Sequence, residues 1–176
     1  MNAELRGILR SEKELYIPHI VTVKNRMMAV YTHCEEYEIY KFICALRRAE
    51  YYISKSRVKH VFWLRRCNIR GQKLGYFIPP GVLGKGVILY HRGGVIINSH
   101  STIGSGCRFH GDNCVGNNGQ NNDCPTLGSG IELGIGAKVL GNVYLADNIK
   151  VGANAVVTKS FYEEGITIAG VPAVKI

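Results

Sequence analysis

The chain has 176 residues, of which 46% are hydrophobic, and a formal net charge of +9. This length suits one main domain with a small addition, and the apolar content is sufficient for a buried core. The sequence lacks an 18-residue apolar run and a signal-peptide pattern, which argues against transmembrane and secreted classes and leads us to expect a soluble, cytoplasmic protein. Its six cysteines form no Cys-x-x-Cys pair, so we expect neither a metal site nor a disulfide framework.

Charge and glycine content divide the chain into two parts. Residues 1–76 contain 15 Lys and Arg, 7 Asp and Glu and 3 glycines, whereas residues 77–176 contain 7, 6 and 18. We therefore expect an N-terminal helical cap over 1–76 and a differently built domain over 77–176.

The first part is predicted to be helical. Apolar residues recur at three- and four-residue spacing over 39–53, which is typical of an amphipathic helix with one buried face. A second helix is predicted from about residue 57 to 70, ending at Gly71. Residues 1–33 are less informative, and 21–31 fits either a helix or an arm.

Basic and aromatic residues cluster on the second predicted helix. Such a cluster favours an acidic partner, for example the anionic headgroups of a membrane surface. A solvated helix face with the aromatic rings turned inward explains the same residues. No nucleic-acid-binding motif is present, so we expect no nucleic-acid partner. The cluster comprises Arg57, Lys59, Phe62, Trp63, Arg65, Arg66, Arg70 and Lys73.

The second part repeats every six residues from Ile97 onward. The units read INSHST, IGSGCR, FHGDNC and VGNNGQ and, after an interruption, LGSGIE, LGIGAK, VLGNVY, LADNIK, VGANAV and VTKSFY. A short fixed period indicates a solenoid of stacked units, and an apolar residue followed by a glycine turn is typical of a parallel β-helix. The predicted fold is mainly β, with an N-terminal α-helical segment. The residues expected to point inward are Leu83, Leu89, Ile97, Ile103, Phe109, Val115, Leu127, Leu133, Val139, Leu145 and Val151.

One interval departs from the period. Leu89 and Ile97 are eight residues apart, so two residues, His91 and Arg92, must bulge outward before the glycine pair that follows. Stacked coils are about 4.8 Å apart, so the same corner of the next coil should place His110 and Asp112 beside His91, with Gly111 leaving open space over it. A surface histidine held in this way suits a general base, although capping of exposed strand ends is an alternative role.

These runs resemble a known family. GKGVILYHRGGVIIN, LGIGAKVLGN, VGANAVV and AGVPA are similar to hexapeptide-repeat acyltransferases, in particular serine acetyltransferases. FHG and GNNGQNNDCPTLGSGIELG are closer to the acetyltransferases of colanic-acid and capsular polysaccharide clusters. The resemblance covers about 75–176 and implies a left-handed β-helix, a homotrimer with acyl-CoA grooves between adjacent subunits, and acetyl-CoA as co-substrate.

The resemblance also implies roles for individual residues. His91 matches the base that deprotonates the acceptor hydroxyl, and Tyr90 stands where those enzymes have an aspartate that orients the imidazole. Asp112, His110 or a residue of a neighbouring subunit would take over the orienting role, unless His91 works without a carboxylate. For His110, a positioning or structural role is equally compatible. The cofactor-binding positions correspond to Asn117, Ile135, Lys150 and Ala153, with Lys150 either near a CoA phosphate or simply solvated.

The interruption of the repeat bears on the acceptor. Its sequence, GNNGQNNDCPT, ends in Asp123-Cys124-Pro125, where serine acetyltransferases have an Arg-His-Pro triplet that contacts the amino acid. An acid in place of this cation disfavours a carboxylate-bearing acceptor. We count Tyr90, Arg92, Asp123 and Cys124 as candidate substrate contacts, and Cys124 is disfavoured as a nucleophile because the family transfers acetyl directly.

The leading hypothesis is an acetyl-CoA-dependent O-acetyltransferase acting on a saccharide or polysaccharide precursor, with His91 as general base. The first alternative is a serine O-acetyltransferase of cysteine biosynthesis. A different class of protein, a non-catalytic β-helix used for assembly, is disfavoured because a scaffold does not need the bulge that carries His91.

Overall fold

Four helices build the first part of the chain in a computed structural model that describes residues 2–176. Helix α3 packs against both α1 and α4 and supplies half of the buried apolar residues of this unit, Met1–Leu74. The segment over 21–31, for which a helix or an arm was predicted, contains a helix. The helices are α1 (Ala3–Tyr16), α2 (Val23–Tyr31), α3 (Glu35–Tyr52) and α4 (Arg57–Leu74).

Helix α4 continues past Gly71, so the predicted end at that glycine is wrong. Cys67, Gly71 and Leu74 are the buried residues of α4 and lie on one helical face, so one more turn adds Leu74 to a stripe that is already packed. The helix ends instead at Gly75, whose φ of +78° is a conformation that glycine adopts without steric cost. Packing therefore determines this boundary. Within residues 2–176, no helix has both the length and the apolar content needed to cross a lipid bilayer.

The second unit, Gly75–Ile176, is a left-handed parallel β-helix. Its strands form three sheets, in the orders β1-β3-β6-β9-β12, β10-β7-β4 and β14-β13-β11-β8-β5-β2, and neighbours are parallel except for β13 and β14. The strands are β1 (Tyr76–Phe77), β2 (Ile88–Leu89), β3 (Val95–Ile97), β4 (Thr102–Ile103), β5 (Arg108–Phe109), β6 (Asn113–Gly116), β7 (Thr126–Leu127), β8 (Glu132–Leu133), β9 (Lys138–Leu140), β10 (Tyr144–Leu145), β11 (Lys150–Val151), β12 (Val156–Val157), β13 (Thr167–Gly170) and β14 (Ala173–Lys175).

The hexad frame is confirmed by the core. All eleven residues predicted to point inward are buried, and each is at most 6% exposed. Inward residues of successive coils pair in one sheet: Leu89 is in register with Phe109, Phe109 with Leu133, and Leu133 with Val151. Each coil thus places one apolar side chain from each face on the axis of the β-helix. On any one face, the residues that follow these side chains in successive coils line up along one edge of the β-helix.

Between β2 and β7, two segments leave the six-residue period, and both lie at corners of the β-helix. Residues 90–94 separate β2 from β3, and Gly93 has a φ of +128°, which turns the chain back toward the coil. Residues 117–125 separate β6 from β7 and are mostly exposed. The coils above and below keep their register despite both insertions.

Candidate active site

A cleft of about 550 Å³ runs along the sheet that contains β2, β5, β8, β11 and β13. Every residue that lines it belongs to one of these strands or lies within two residues after its end. Two imidazoles, a carboxylate and an ammonium group face it, together with small residues that leave the backbone accessible. The lining residues are His91, His110, Glu132, Gly134, Ile135, Lys150, Val151, Gly152, Ala153 and Thr167.

The register of the strands explains why these residues meet. The backbone N–H of Tyr90 donates to the carbonyl of Phe109, and the N–H of His110 donates to the carbonyl of Leu133. Tyr90, His110 and Gly134 therefore stack one strand spacing apart, about 4.8 Å. Residues far apart in sequence become neighbours because each coil repeats the same corner.

His91 is exposed at the bulge and lines the cleft. The hydroxyl of Tyr76, a buried residue of β1, donates a 2.7 Å hydrogen bond to the carbonyl oxygen of His91. This bond ties the bulge to the preceding coil and limits where the imidazole can move. Tyr76 was not singled out from the sequence, since its partner lies 15 residues away.

His110 bonds to a carboxylate that the sequence analysis did not identify. Its Nε2 lies 2.9 Å from Oε1 of Glu132, and both side chains are about one third exposed. The Tyr90 ring stacks on the His110 ring at 4.7 Å between centroids, and lies 6.5 Å from the His91 ring. The cleft therefore brings together His91 and His110 of the predicted site residues and adds Glu132, while Tyr90 contacts it only through the His110 ring.

Asp112 lies near the bulge but does not line the cleft. Its carboxylate is close to Gly94, because a Cβ built on that glycine would lie 3.3 Å from Oδ1 of Asp112. The Asp112 side chain is 73% exposed and faces Lys138, with 3.8 Å between Oδ2 and Nζ. A catalytic role for Asp112 stays a prediction.

The predicted cofactor positions are only partly brought together. Ile135, Lys150 and Ala153 line the cleft on the coils after His110. Asn117 lies in the 117–125 loop, where its amide donates to the carbonyl of Asn121. An exposed apolar side chain, an ammonium group and accessible backbone suit a pantetheine chain that ends in phosphates, so this stretch fits CoA.

The predicted substrate contacts of the loop lie away from the cleft. Asp123 is exposed and bonds to Asn121 through both its carboxylate and its backbone N–H. Neither Asp123, Cys124 nor Arg92 lines the cleft. Their contact with an acceptor therefore remains a prediction.

The buried thiols are poor nucleophiles. Burial raises the pKa of Cys107 to about 11 and that of Cys67 to about 12, so neither supplies thiolate at neutral pH. Within residues 2–176, His, Cys, Asp and Glu side chains form no group of three or more that could hold a metal ion.

Comparisons with known proteins agree with this geometry. No protein-family model matches the chain. The serine acetyltransferase of Synechococcus elongatus is 34% identical over 101 residues, which cover 56% of this chain and 41% of that protein. A soybean serine acetyltransferase complexed with serine aligns with a TM-score of 0.74 and 26% identity, covering 99% of this chain and 70% of that one. A serine acetyltransferase in complex with CoA aligns with a TM-score of 0.66 and 26% identity, covering 79% of this chain and 57% of that one.

The chain spans about half the length, or less, of the first curated relatives it matches. The six-residue repeat, the left-handed β-helix and these matches show that the chain is similar to serine acetyltransferases and shares the fold of those whose structures are solved.

Proposed function

We propose that the chain is an acetyl-CoA-dependent O-acetyltransferase with L-serine as its acceptor. The observation that carries this proposal is the single cleft shared by His91 and His110 on one side and Ile135, Lys150 and Ala153 on the other. An acceptor hydroxyl beside the imidazoles would lie next to an acyl group held by the later coils. The solved relatives bound to serine and to CoA support both halves of this arrangement.

The transfer proceeds by direct attack. His91 takes the proton of the acceptor hydroxyl, and the oxygen attacks the carbonyl carbon of the thioester. The new C–O bond forms as the C–S bond breaks, and the CoA sulfur leaves and takes up a proton. The bulge, held by Tyr76, keeps the imidazole at the rim where the acceptor enters.

The acceptor favoured here differs from the leading hypothesis of the sequence analysis. The compared relatives are serine acetyltransferases, which supports the serine alternative over a saccharide. A saccharide acceptor is kept as the second candidate because of one observation. Asp123 is an exposed acid in the loop at the position where the serine enzymes have a cation.

A thiol-release assay tests the proposal. The protein is incubated with acetyl-CoA and either L-serine or a panel of free and nucleotide-linked sugars, and free CoA is measured. We expect acceptor-dependent release that is fastest with L-serine, and faster release with a sugar would favour the second candidate. Release no faster than hydrolysis with every acceptor would contradict the transferase proposal and favour the non-catalytic β-helix.

A further inference from the structure

We infer that Glu132 and His110 form a binding pair that recognises a second hydrogen-bond donor on the acceptor, next to the reacting hydroxyl. The acceptor class is then a 2-amino alcohol, in which the amine stands beside the reacting hydroxyl. This inference rests on the proposed function, because it assigns His110 to the acceptor that His91 deprotonates.

The contact with Glu132 determines which nitrogen of His110 faces the acceptor. An ionised carboxylate only accepts hydrogen bonds, so the Nε2 atom, 2.9 Å from Oε1 of Glu132, must carry a hydrogen. In the neutral ring the lone pair is then on Nδ1. Among residues 2–176, no group hydrogen-bonds to this Nδ1.

The surroundings of His110 hold the ring in place. The ring stacks on Tyr90 with an interplanar angle of 27°, and Glu132 fixes its other edge. A ring held on two sides offers one acceptor atom in a defined direction. Glu132 is thus a positioning residue for His110. Because Nδ1 is a hydrogen-bond acceptor, its partner must be a hydrogen-bond donor.

The position of His110 points to the acceptor. The His91 ring lies at the bulge of the preceding coil and Gly134 follows on the next coil, so His110 is between the proposed base and the cofactor positions. An acceptor whose hydroxyl reaches His91 extends toward His110 with its adjacent substituent. An ammonium group is favoured there because the carboxylate of Glu132 lies directly behind the imidazole.

Steady-state kinetics with paired acceptors test this role. L-Serine is compared with 3-hydroxypropionate, which keeps the hydroxyl and the carboxylate but lacks the amine, in the wild type and in His110→Phe, Glu132→Leu and Glu132→Asp. We expect His110→Phe and Glu132→Leu to lower kcat/KM for L-serine by roughly 10- to 100-fold, the loss of one charge-assisted hydrogen bond. The same variants should change kcat/KM for 3-hydroxypropionate and KM for acetyl-CoA less than threefold, and Glu132→Asp should recover part of the loss.

A matched control and a second readout separate this inference from structural damage. Glu163→Leu removes a carboxylate that bonds to Lys175 outside the cleft, and should leave all these constants unchanged. Long-range ¹H–¹⁵N spectra should show His110 with the hydrogen on Nε2 in the wild type and a mixture of tautomers in Glu132→Leu. A comparable loss with both acceptors would overturn the inference, since His110 would then act on the hydroxyl or the carboxylate.

A failure of the proposed function can be distinguished from a failure of this inference. If the wild type releases no thiol with any acceptor, that function is wrong, and the spectra then decide the inference alone. A shift of the His110 Nδ1 signal on addition of L-serine, with no shift for 3-hydroxypropionate, supports a binding pair. Equal shifts, or none, would overturn it.

Discussion

The imidazole of His91 lies at the rim because of its backbone surroundings. Tyr76 donates to its carbonyl oxygen, and Gly93 turns the chain back into β3 with a positive φ. The residue is exposed to solvent, whereas its backbone is anchored by these contacts. A base of this kind is accessible to an acceptor while its position remains fixed.

Replacement of His91 tests the proposed base directly. His91→Ala should lower kcat by about 10² to 10⁴, the usual contribution of a general base. The affinity for acetyl-CoA should change little, because the positions proposed for it lie on later coils. Stopped-flow turnover and isothermal titration with CoA measure the two effects, and near wild-type turnover of the variant would show that another group takes the proton.

Two substitutions in the 117–125 loop test whether this loop contacts the acceptor. Asp123→Arg combined with Cys124→His recreates the ending that the serine enzymes have, and should raise kcat/KM for L-serine relative to sugars. If the loop contacts the acceptor, an arginine can pair with the carboxylate of serine, which an aspartate repels. The ratio of the two kcat/KM values is measured with both acceptors. An unchanged ratio would show that the loop does not contact the acceptor.

Individual residues could be predicted only where the repeat itself pointed to them. His91 and His110 are visible in the sequence because one breaks the period and the other follows a hexad start at the same corner. Glu132 was not visible, because it lies 22 residues after His110 and its contact is diagonal across two strands. Tyr76 precedes the clear hexads, so the six-residue repeat did not predict whether its side chain points inward or outward.

At the scale of elements, the β-strands were more predictable than the helix ends. The six-residue spacing is enforced by burial, since each first position meets the same axis, and all eleven such residues are buried. The end of α4 is set instead by the packing of Leu74. Gly71 alone gives no information about that packing, so the sequence did not predict the last turn. A local signal such as Gly71 is weaker than a stripe of buried residues.

Helix α4 presents an apolar stripe bordered by cations. Val58, Val61, Phe62 and Ile69 are 43% to 81% exposed, and residues 57–74 contain no acidic side chain. Arg66 lies over the ring of Phe62 at 4.9 Å, which keeps a positive charge beside the stripe. Such a helix face complements an anionic lipid surface, where apolar side chains enter the interface and arginines meet phosphates.

We expect the protein to bind vesicles of phosphatidylglycerol more strongly than vesicles of phosphatidylcholine. Arg65→Gln with Arg66→Gln should weaken this binding by roughly fivefold per charge, as measured by co-sedimentation at constant salt. Lys85→Gln with Lys159→Gln, in the other unit, removes the same net charge and serves as the control. Equal loss in both double variants would show that only net charge matters, and preference for duplex DNA would point to a different partner.

At the scale of the whole molecule, the open side of the cleft suggests more than one copy of the chain. Ile135 lines the cleft and is 57% exposed, which leaves an apolar wall facing solvent. A second β-helix beside it would cover this wall and complete a groove for acyl-CoA. The proposed assembly is a homotrimer.

Light scattering after gel filtration tests the assembly. We expect a mass about three times the 19.5 kDa of one chain. Ile135→Glu should shift the mass toward the monomer and reduce acetyl transfer, because an ionised side chain would be desolvated in the groove. A monomer with full transferase activity would contradict the proposal.

The last strand of the cleft-bearing sheet runs against all the others. β13 continues the parallel stack from β11, but β14 pairs with β13 in antiparallel register, so that Ile168 lies opposite Lys175. A parallel edge is a template on which a strand of another copy can add in the same direction, again and again. Here that edge of β13 is already occupied. The reversed strand therefore removes β13 as a site for parallel addition, and another copy would instead meet β14, which has three residues and runs in the opposite direction.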